Sequence, residues 1–267
     1  MNEKQARLEA ILLDLGSLLV AYSGGVDSTF LAAAAYRVLG EKVLAVTAAS
    51  PTYPASEVEE ARVLARNLGV KHLVIDTDEL DNPAFALNDR SRCYYCKGEL
   101  FTKLWEIARS EGLAAVADGN NADDAGDYRP GRRAGQELSV RSPLLEAGLT
   151  KTEIREISRE WGLPTWKKPS FACLSSRFPY GTAITPDALQ RIEPAPAALH
   201  LEHVPRRHSE ALEHVVDAGR ELGHPPRAQP TGRQHGTMLK GAHVEREQPS
   251  TTSIDRLASI HLHQKRD

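Results

Sequence analysis

Residues 18–28 read LLVAYSGGVDS, an apolar run of strand length that breaks on a glycine pair and ends in an acid and a serine. Leu18–Ser23 predicts a short buried strand. Asp27–Leu39 (DSTFLAAAAYRVL) predicts the following helix, rich in alanine and closed by Gly40. Between them, Gly24 and Gly25 carry no Cβ, so the backbone can approach an anion closely. A helix opening at Asp27 points its free N–H groups and positive dipole end into the same space. Ser23 and Ser28 add hydroxyl donors. The stretch therefore reads as a cradle for pyrophosphate. It has neither the spacing of a Walker A loop nor the G-x-G-x-x-G of a dinucleotide fold. The plainer alternative is a glycine turn capped by Asp27. That residue is also a candidate Mg²⁺ ligand, and the two roles are compatible.

Outward from this loop, strands and helices alternate. Lys42–Ala49, Lys71–Asp76 and Ala114–Asp118 predict further strands. Ser56–Leu68, Cys96–Ser110 and Thr152–Trp161 predict helices, the first with Val58, Ala61, Leu64, Ala65 and Leu68 on one face. Alternation at intervals of roughly 25–35 residues implies parallel βαβ units and an α/β fold with a doubly wound parallel sheet. Ligands of such sheets sit at the carboxyl ends of the strands.

Composition divides the chain. All 15 aromatic residues lie within residues 1–180, whereas nine of the ten histidines lie between residues 200 and 263. The stretch from Gly223 to Glu247 crowds Pro, Arg and Gln without apolar periodicity. We therefore expect one folded domain over residues 1–199 and an atypical, poorly ordered tail over 200–267. Its histidines repeat no helix-face metal spacing. Lys and Arg total 33 against 36 Asp and Glu, a net charge of -3, which argues against a nucleic-acid partner. No window approaches the ~18 apolar residues of a membrane span, and the N-terminus lacks a signal-peptide layout. The expected compartment is the cytoplasm.

Two further segments carry chemistry. Asp118–Asp124 (DGNNADD) follows the fourth strand, where Asp123 and Asp124 can face Mg²⁺ or substrate, or simply form a solvated turn. Arg129, Arg132 and Arg133 follow in a Gly/Pro loop suited to phosphate or carboxylate. The three cysteines are Cys93 and Cys96, in RCYYCK at a helix start, and Cys173, in FACLSSR. In a reducing compartment they point to metal, redox or catalytic use. Three thiolates suit a [4Fe-4S] cluster with one iron open to an external ligand. Zinc with an unseen fourth ligand and a plain nucleophilic thiol at Cys173 remain alternatives. Arg92, Lys97 and Arg177 would favour thiolate over thiol in each case.

SGGVDS after a first strand resembles the PP-loop ATP pyrophosphatases, which hold the pyrophosphate of ATP while AMP passes to an acceptor. The wider set, SGGVDS, RCYYCK, DGNNADDAGDYRPGRRA, VRSPL and KPSFACLSSRFPYGTAIT, is similar to the ATP-dependent sulfur transferases that build the nickel-pincer nucleotide cofactor of lactate racemase, the LarE family. The similarity runs through roughly residues 10–200. It implies a nucleotide substrate, pyridinium-3,5-biscarboxylic acid mononucleotide, whose carboxylate is adenylated and then converted to a thiocarboxylate. It also implies ATP and Mg²⁺ as cofactors and the other enzymes of that pathway as partners, and it leaves a homo-oligomer open. By the same match Ser23, Gly24, Gly25, Asp27 and Ser28 would hold ATP, with Asp123, Asp124 and Arg177 as looser assignments.

Members of the family use one of two sulfur sources. Either a single cysteine gives up its own sulfur, or three cysteines bind a [4Fe-4S] cluster that carries it. Cys173 matches the sacrificial position, and Cys93 and Cys96 beside it place the chain with the cluster type. No matching sequence follows Leu199. The rivals are a tRNA thiolase, an ammonia-dependent ligase such as a synthetase of NAD, and a nucleotide-binding regulator without turnover. The first needs a basic surface, yet residues 1–180 hold 22 Lys+Arg against 25 Asp+Glu. The second needs no cysteine triad. The third would bind ATP without releasing pyrophosphate.

Overall fold

The computed structural model describes residues 3–126 and 130–192; Arg129 and the expected tail over 200–267, with its boundary, lie outside them. Four parallel strands, β1 (Leu18–Ala21), β2 (Val43–Ala49), β3 (Lys71–Asp76) and β4 (Ala115–Ala117), form one sheet in the order β3-β2-β1-β4. In register, Leu18 of β1 faces Val43 on one side and Ala115 on the other. The order reverses beside β1, and this is the switch point at which open α/β sheets bind ligands.

Period-two alternation divides the strands between two cores. Leu18, Val20, Val43, Ala45, Ala115 and Ala117 pack with α1 (Glu3–Leu15), α2 (Val26–Leu39) and α8 (Lys151–Glu160). Leu19, Val46 and Val116 turn to the opposite face, against Phe101, Leu104 and Ala108 of α5 (Arg92–Ser110). Helices on both faces explain why the central strands read as continuous apolar runs. The alanines of α2, Ala32 to Ala35, are all buried, so the helix that follows the glycine pair lies close on the sheet. In α3 (Ala55–Leu68), Ala61, Leu64, Ala65 and Leu68 are buried as the periodicity predicts. β3 is the outer strand of the sheet, and its Leu73 is exposed.

Several boundaries shift. α5 begins at Arg92, four residues before the expected start, after Ser91, whose side chain makes no capping bond. The presumed Gly/Pro loop carrying Arg132 and Arg133 is helix α6 (Pro130–Glu137), opened by a proline suited to the first helical turn. Glu3–Leu15, Pro83–Ala86 (α4), Pro143–Glu146 (α7) and Pro186–Ile192 (α9) are helices that the alternation did not single out. Among the described residues no helix is long and apolar enough to cross a membrane.

The start of α8 is built with care. Thr150 accepts a hydrogen bond from the Glu153 N–H, while the Glu153 carboxylate accepts from the Thr150 N–H, closing a capping box. Lys4 of α1 donates to the same carboxylate at 2.7 Å, and with the Thr150 N–H it holds Glu153 down to about 2. Thr150→Ala should cost about 1 kcal/mol and lower Tm by about 2–4 °C in thermal unfolding. An unchanged Tm would mean that the cap contributes nothing to stability.

Candidate functional site

The glycine loop leaves β1 and turns sharply into α2. Gly24 has φ +68°, and a Cβ there would stand 3.1 Å from Ala61 Cα of α3, so both conformation and space require glycine. Gly25 is the N-cap of α2 and makes no side-chain capping bond. Asp27 therefore lies one residue inside the helix rather than capping it, which corrects the expected cap. The hydroxyls of Ser23 and Ser28 lie 3.1 Å apart, the Ser23 N–H donates to Ser28 Oγ at 3.2 Å, and Ser28 Oγ donates to the Gly25 carbonyl. The loop is tied to itself, with Ser23 exposed and Ser28 buried.

With no cap to make, the Asp27 carboxylate reaches elsewhere. Oδ2 accepts from Lys151 Nζ and Oδ1 from Asn121 Nδ2 at 3.3 Å. The loop after β4 also crosses the start of α2 closely: a Cβ on Gly119 would stand 3.1 Å from the Ser28 nitrogen. Asp123 accepts from the Lys151 N–H, and Asp124, buried, accepts from the Asn121 N–H. Asp118 accepts from Ser142 Oγ at 2.7 Å, and burial pushes its carboxyl up despite that bond. The structure thus brings Ser23, Gly24, Gly25, Asp27, Ser28, Asp123 and Asp124 to one end of the sheet, at the β1/β4 switch point. Arg132 is spent on the Asp124 and Ala125 carbonyls, and Arg133 pairs with Glu137 at 2.8 Å.

Sequence reasoning missed Lys151, which joins Asp27 across the crevice. A signal was available. A cation on the first turn of a helix opposes the positive end of the helix dipole, so it calls for a reason other than helix stability.

The cysteines gather at the neighbouring strand ends. Cys93 and Cys96 lie in the first two turns of α5, exposed and half-buried respectively, and Cys173 is the N-cap of a short turn, Leu174–Arg177. All three act on the Tyr53 phenol, which burial and then these thiols push well above its ordinary value. Burial raises the Cys96 thiol to about 12, against the pull of Lys97. Burial also raises Cys173, against the Ser176 N–H and Arg92. At Cys96 and Cys173 the expectation that basic neighbours would favour thiolates is therefore corrected, because desolvation outweighs them. Arg177 is exposed and stands over the Phe171 ring at 5.9 Å. Among the described residues no group of three or more His, Cys, Asp or Glu side chains closes to metal-holding distance. Three thiols are nevertheless the donor chemistry that iron–sulfur clusters use.

The Cys173 segment is clipped from three sides. Its Leu174 N–H donates to the Thr52 carbonyl at 2.9 Å, Arg92 Nη1 donates to the Ser175 carbonyl at 2.8 Å, and Asn88 Nδ2 donates to the Pro179 and Thr182 carbonyls. Thr52 and Ser50 in turn donate to the buried Glu79 carboxylate. A cleft of about 780 Å³ opens at the carboxyl ends of β2 and β3, walled by Tyr53, Glu59, Arg62, Asp78 and Leu189.

A parallel sheet carrying a serine–glycine phosphate loop at its switch point defines the PP-loop ATP pyrophosphatase class. A family profile for NAD synthase matches residues 13–101. An uncharacterized protein of Synechocystis is 46% identical over 192 residues, 72% of each chain. The pyridinium-3,5-bisthiocarboxylic acid mononucleotide synthase of Lactiplantibacillus plantarum is 40% identical over 190 residues, 71% of this chain and 69% of that one. An NH(3)-dependent NAD(+) synthetase of Thermococcus sibiricus is 31% identical over 162 residues, 57% of this chain and 61% of its own. The chain belongs to the family of pyridinium-3,5-bisthiocarboxylic acid mononucleotide synthases, the LarE-type sulfur transferases.

Proposed function

We propose that this protein is an ATP-dependent sulfur transferase of nickel-pincer cofactor synthesis. It adenylates a carboxylate of pyridinium-3,5-biscarboxylic acid mononucleotide, releases pyrophosphate and replaces AMP with sulfur to give a thiocarboxylate. The observation that carries this reading is the pairing of the two ends of the site. A phosphate cradle and three thiols from different segments lie at the carboxyl ends of the strands of one sheet, in a chain of the LarE family.

The first step needs a positioned triphosphate. Gly24, Gly25 and the start of α2 present N–H groups to the pyrophosphate, and Ser23 and Ser28 offer hydroxyls. Asp27 and Asp123 are the carboxylates that would hold Mg²⁺, which neutralises phosphate charge and needs few protein ligands. Lys151, released from Asp27, balances the departing pyrophosphate. The substrate carboxylate oxygen attacks the α-phosphorus, and the P–O bond to pyrophosphate breaks with its electron pair. In the second step a sulfur nucleophile attacks the acyl carbon, the C–S bond forms and AMP leaves with the C–O electron pair. We assign Cys93, Cys96 and Cys173 to a [4Fe-4S] cluster, which would supply transferable sulfide. A single-sulfur variant of the same chemistry leaves Cys173 as donor: after acyl transfer to Sγ, loss of the Cα proton and cleavage of the Cβ–S bond yield the thiocarboxylate and dehydroalanine. Arg177 belongs to this assignment as a residue beside the acyl group. The reading also places the protein in the cytoplasm, alongside the other enzymes of the pathway.

Anaerobic purification and reconstitution, followed by iron and acid-labile sulfide analysis, tests the assignment. About four irons per chain with broad absorption near ~400 nm are expected. Iron-free folded protein that still makes thiocarboxylate, with a mass loss equal to H₂S on the Cys173 peptide, would replace the cluster by the sacrificial cysteine.

A further inference from the structure

Arg92 is placed against two electrostatic rules at once. It is only 5% exposed, and it opens α5, a helix of 19 residues, where the dipole disfavours a cation. A buried guanidinium normally has an anion beside it. Among the described residues no carboxylate lies within ion-pair distance of Arg92. Its hydrogen-bond partners are neutral oxygens, Asn88 Oδ1 at 2.5 Å and the Ser175 carbonyl at 2.8 Å, both on Nη1. The Tyr180 ring adds a cation–π contact at 5.7 Å.

The other nitrogens complete the picture. Among the described residues the buried side-chain nitrogens and oxygens without a partner are Ser158 Oγ, Thr165 Oγ1 and Ser175 Oγ. Nε and Nη2 of Arg92 are not among them and make no hydrogen bond among the described residues, so each keeps some contact with solvent. These two nitrogens form the side-on fork that matches the two oxygens of a carboxylate. Asn88 fixes the fork's direction. It is fully buried, lies at φ +54°, and uses its amide to hold the Pro179 and Thr182 carbonyls. The fork stands on the cysteine side of the site, since Arg92 holds the carbonyl two residues beyond Cys173 and its charge acts on the Cys173 thiol.

The geometry points to Arg92 as the residue that binds a substrate carboxylate beside Cys173, through its Nε/Nη2 edge. This rests on the sulfur-transferase reading for the identity of the substrate, and it adds the residue that discriminates acid from amide. Nicotinate mononucleotide and nicotinamide mononucleotide differ in that group alone and serve as probes. Their dissociation constants, and that of ATP, are measured on the full chain for wild type, Arg92→Lys and Arg92→Met.

The wild type should prefer the acid by about tenfold to a hundredfold. Both variants should lose that preference while ATP affinity stays within about threefold, since the phosphate loop is untouched. Arg92→Lys keeps a cation for the Ser175 carbonyl and lacks the fork, so it guards against a folding defect in Arg92→Met. Equal weakening of acid and amide would assign Arg92 to scaffolding and overturn the inference, as would a wild type without preference or variants that retain it. An Arg92-dependent acid preference in a protein that releases no pyrophosphate from ATP and the biscarboxylate nucleotide would instead refute the sulfur-transferase reading and leave the carboxylate site standing.

Discussion

Cys173→Ala should abolish thiocarboxylate formation, a loss of at least ~10³-fold, while ATP-dependent pyrophosphate release stays within about threefold of wild type. The structure makes this substitution unusually clean. The ties that hold the segment use its backbone: the Leu174 N–H to Thr52, the Ser175 carbonyl to Arg92, and the Cys173 carbonyl to Ser176. Alanine removes the sulfur and leaves the clip in place. Cys93 and Cys96 then divide the two sulfur sources. If a cluster carries the sulfur, Cys93→Ala and Cys96→Ala fail as completely as Cys173→Ala. If Cys173 gives up its own sulfur, Cys93→Ala, whose side chain is exposed, retains a single turnover. Chromatographic assay of the thiocarboxylate beside a pyrophosphate assay reads both arms. Loss of pyrophosphate release in Cys173→Ala would place the residue in nucleotide binding and sink the division of labour.

The sheet was legible because its signals are local. Leu18–Ala21 and Lys71–Asp76 are strands close to where the apolar runs predict them, and the helical face of α3 follows from its spacing. What could not be read is long-range. Asp27 looks like a cap in the sequence because it opens a helical run; its actual partners, Lys151 and Asn121, lie 124 and 94 positions away. Thiolate character was inferred from basic neighbours, but at Cys96 burial, which depends on the Phe85–Leu174–Ile184 cluster closing over it, reverses it. The edge position of β3 was equally hidden, because strand order is a property of the assembled sheet. Arg92 was noted only as a positive neighbour. Its significance appears when burial, neutral partners and the free edge of its guanidinium are seen together.

The Asp27–Lys151 pair carries the other large effect. Both side chains are about three-quarters buried, 22% and 27% exposed, in a crevice whose loop backbone is already electropositive. A second cation there is tolerated because Asp27 neutralises it. An arriving triphosphate brings a greater anionic charge and competes for Lys151, which frees the Asp27 carboxylate at the place where phosphate charge must be balanced. Lys151→Met should therefore lower the rate of pyrophosphate release by about 10²–10³-fold, the usual cost of losing one preorganised charge-stabilising donor. Asp27→Asn should do the same by another route, since the amide accepts from Asn121 but offers no anionic ligand. The double variant distinguishes exchange from simple pairing. If the two residues act successively on the phosphates, its loss is well short of the product of the single losses, because each already disables the same step. If the pair merely pins α8 to α2, both single variants release pyrophosphate within about threefold of wild type and differ from it in thermal unfolding alone. Steady-state pyrophosphate release with saturating substrate nucleotide, measured beside Tm for all four proteins, decides between a charge that moves and a strut that does not.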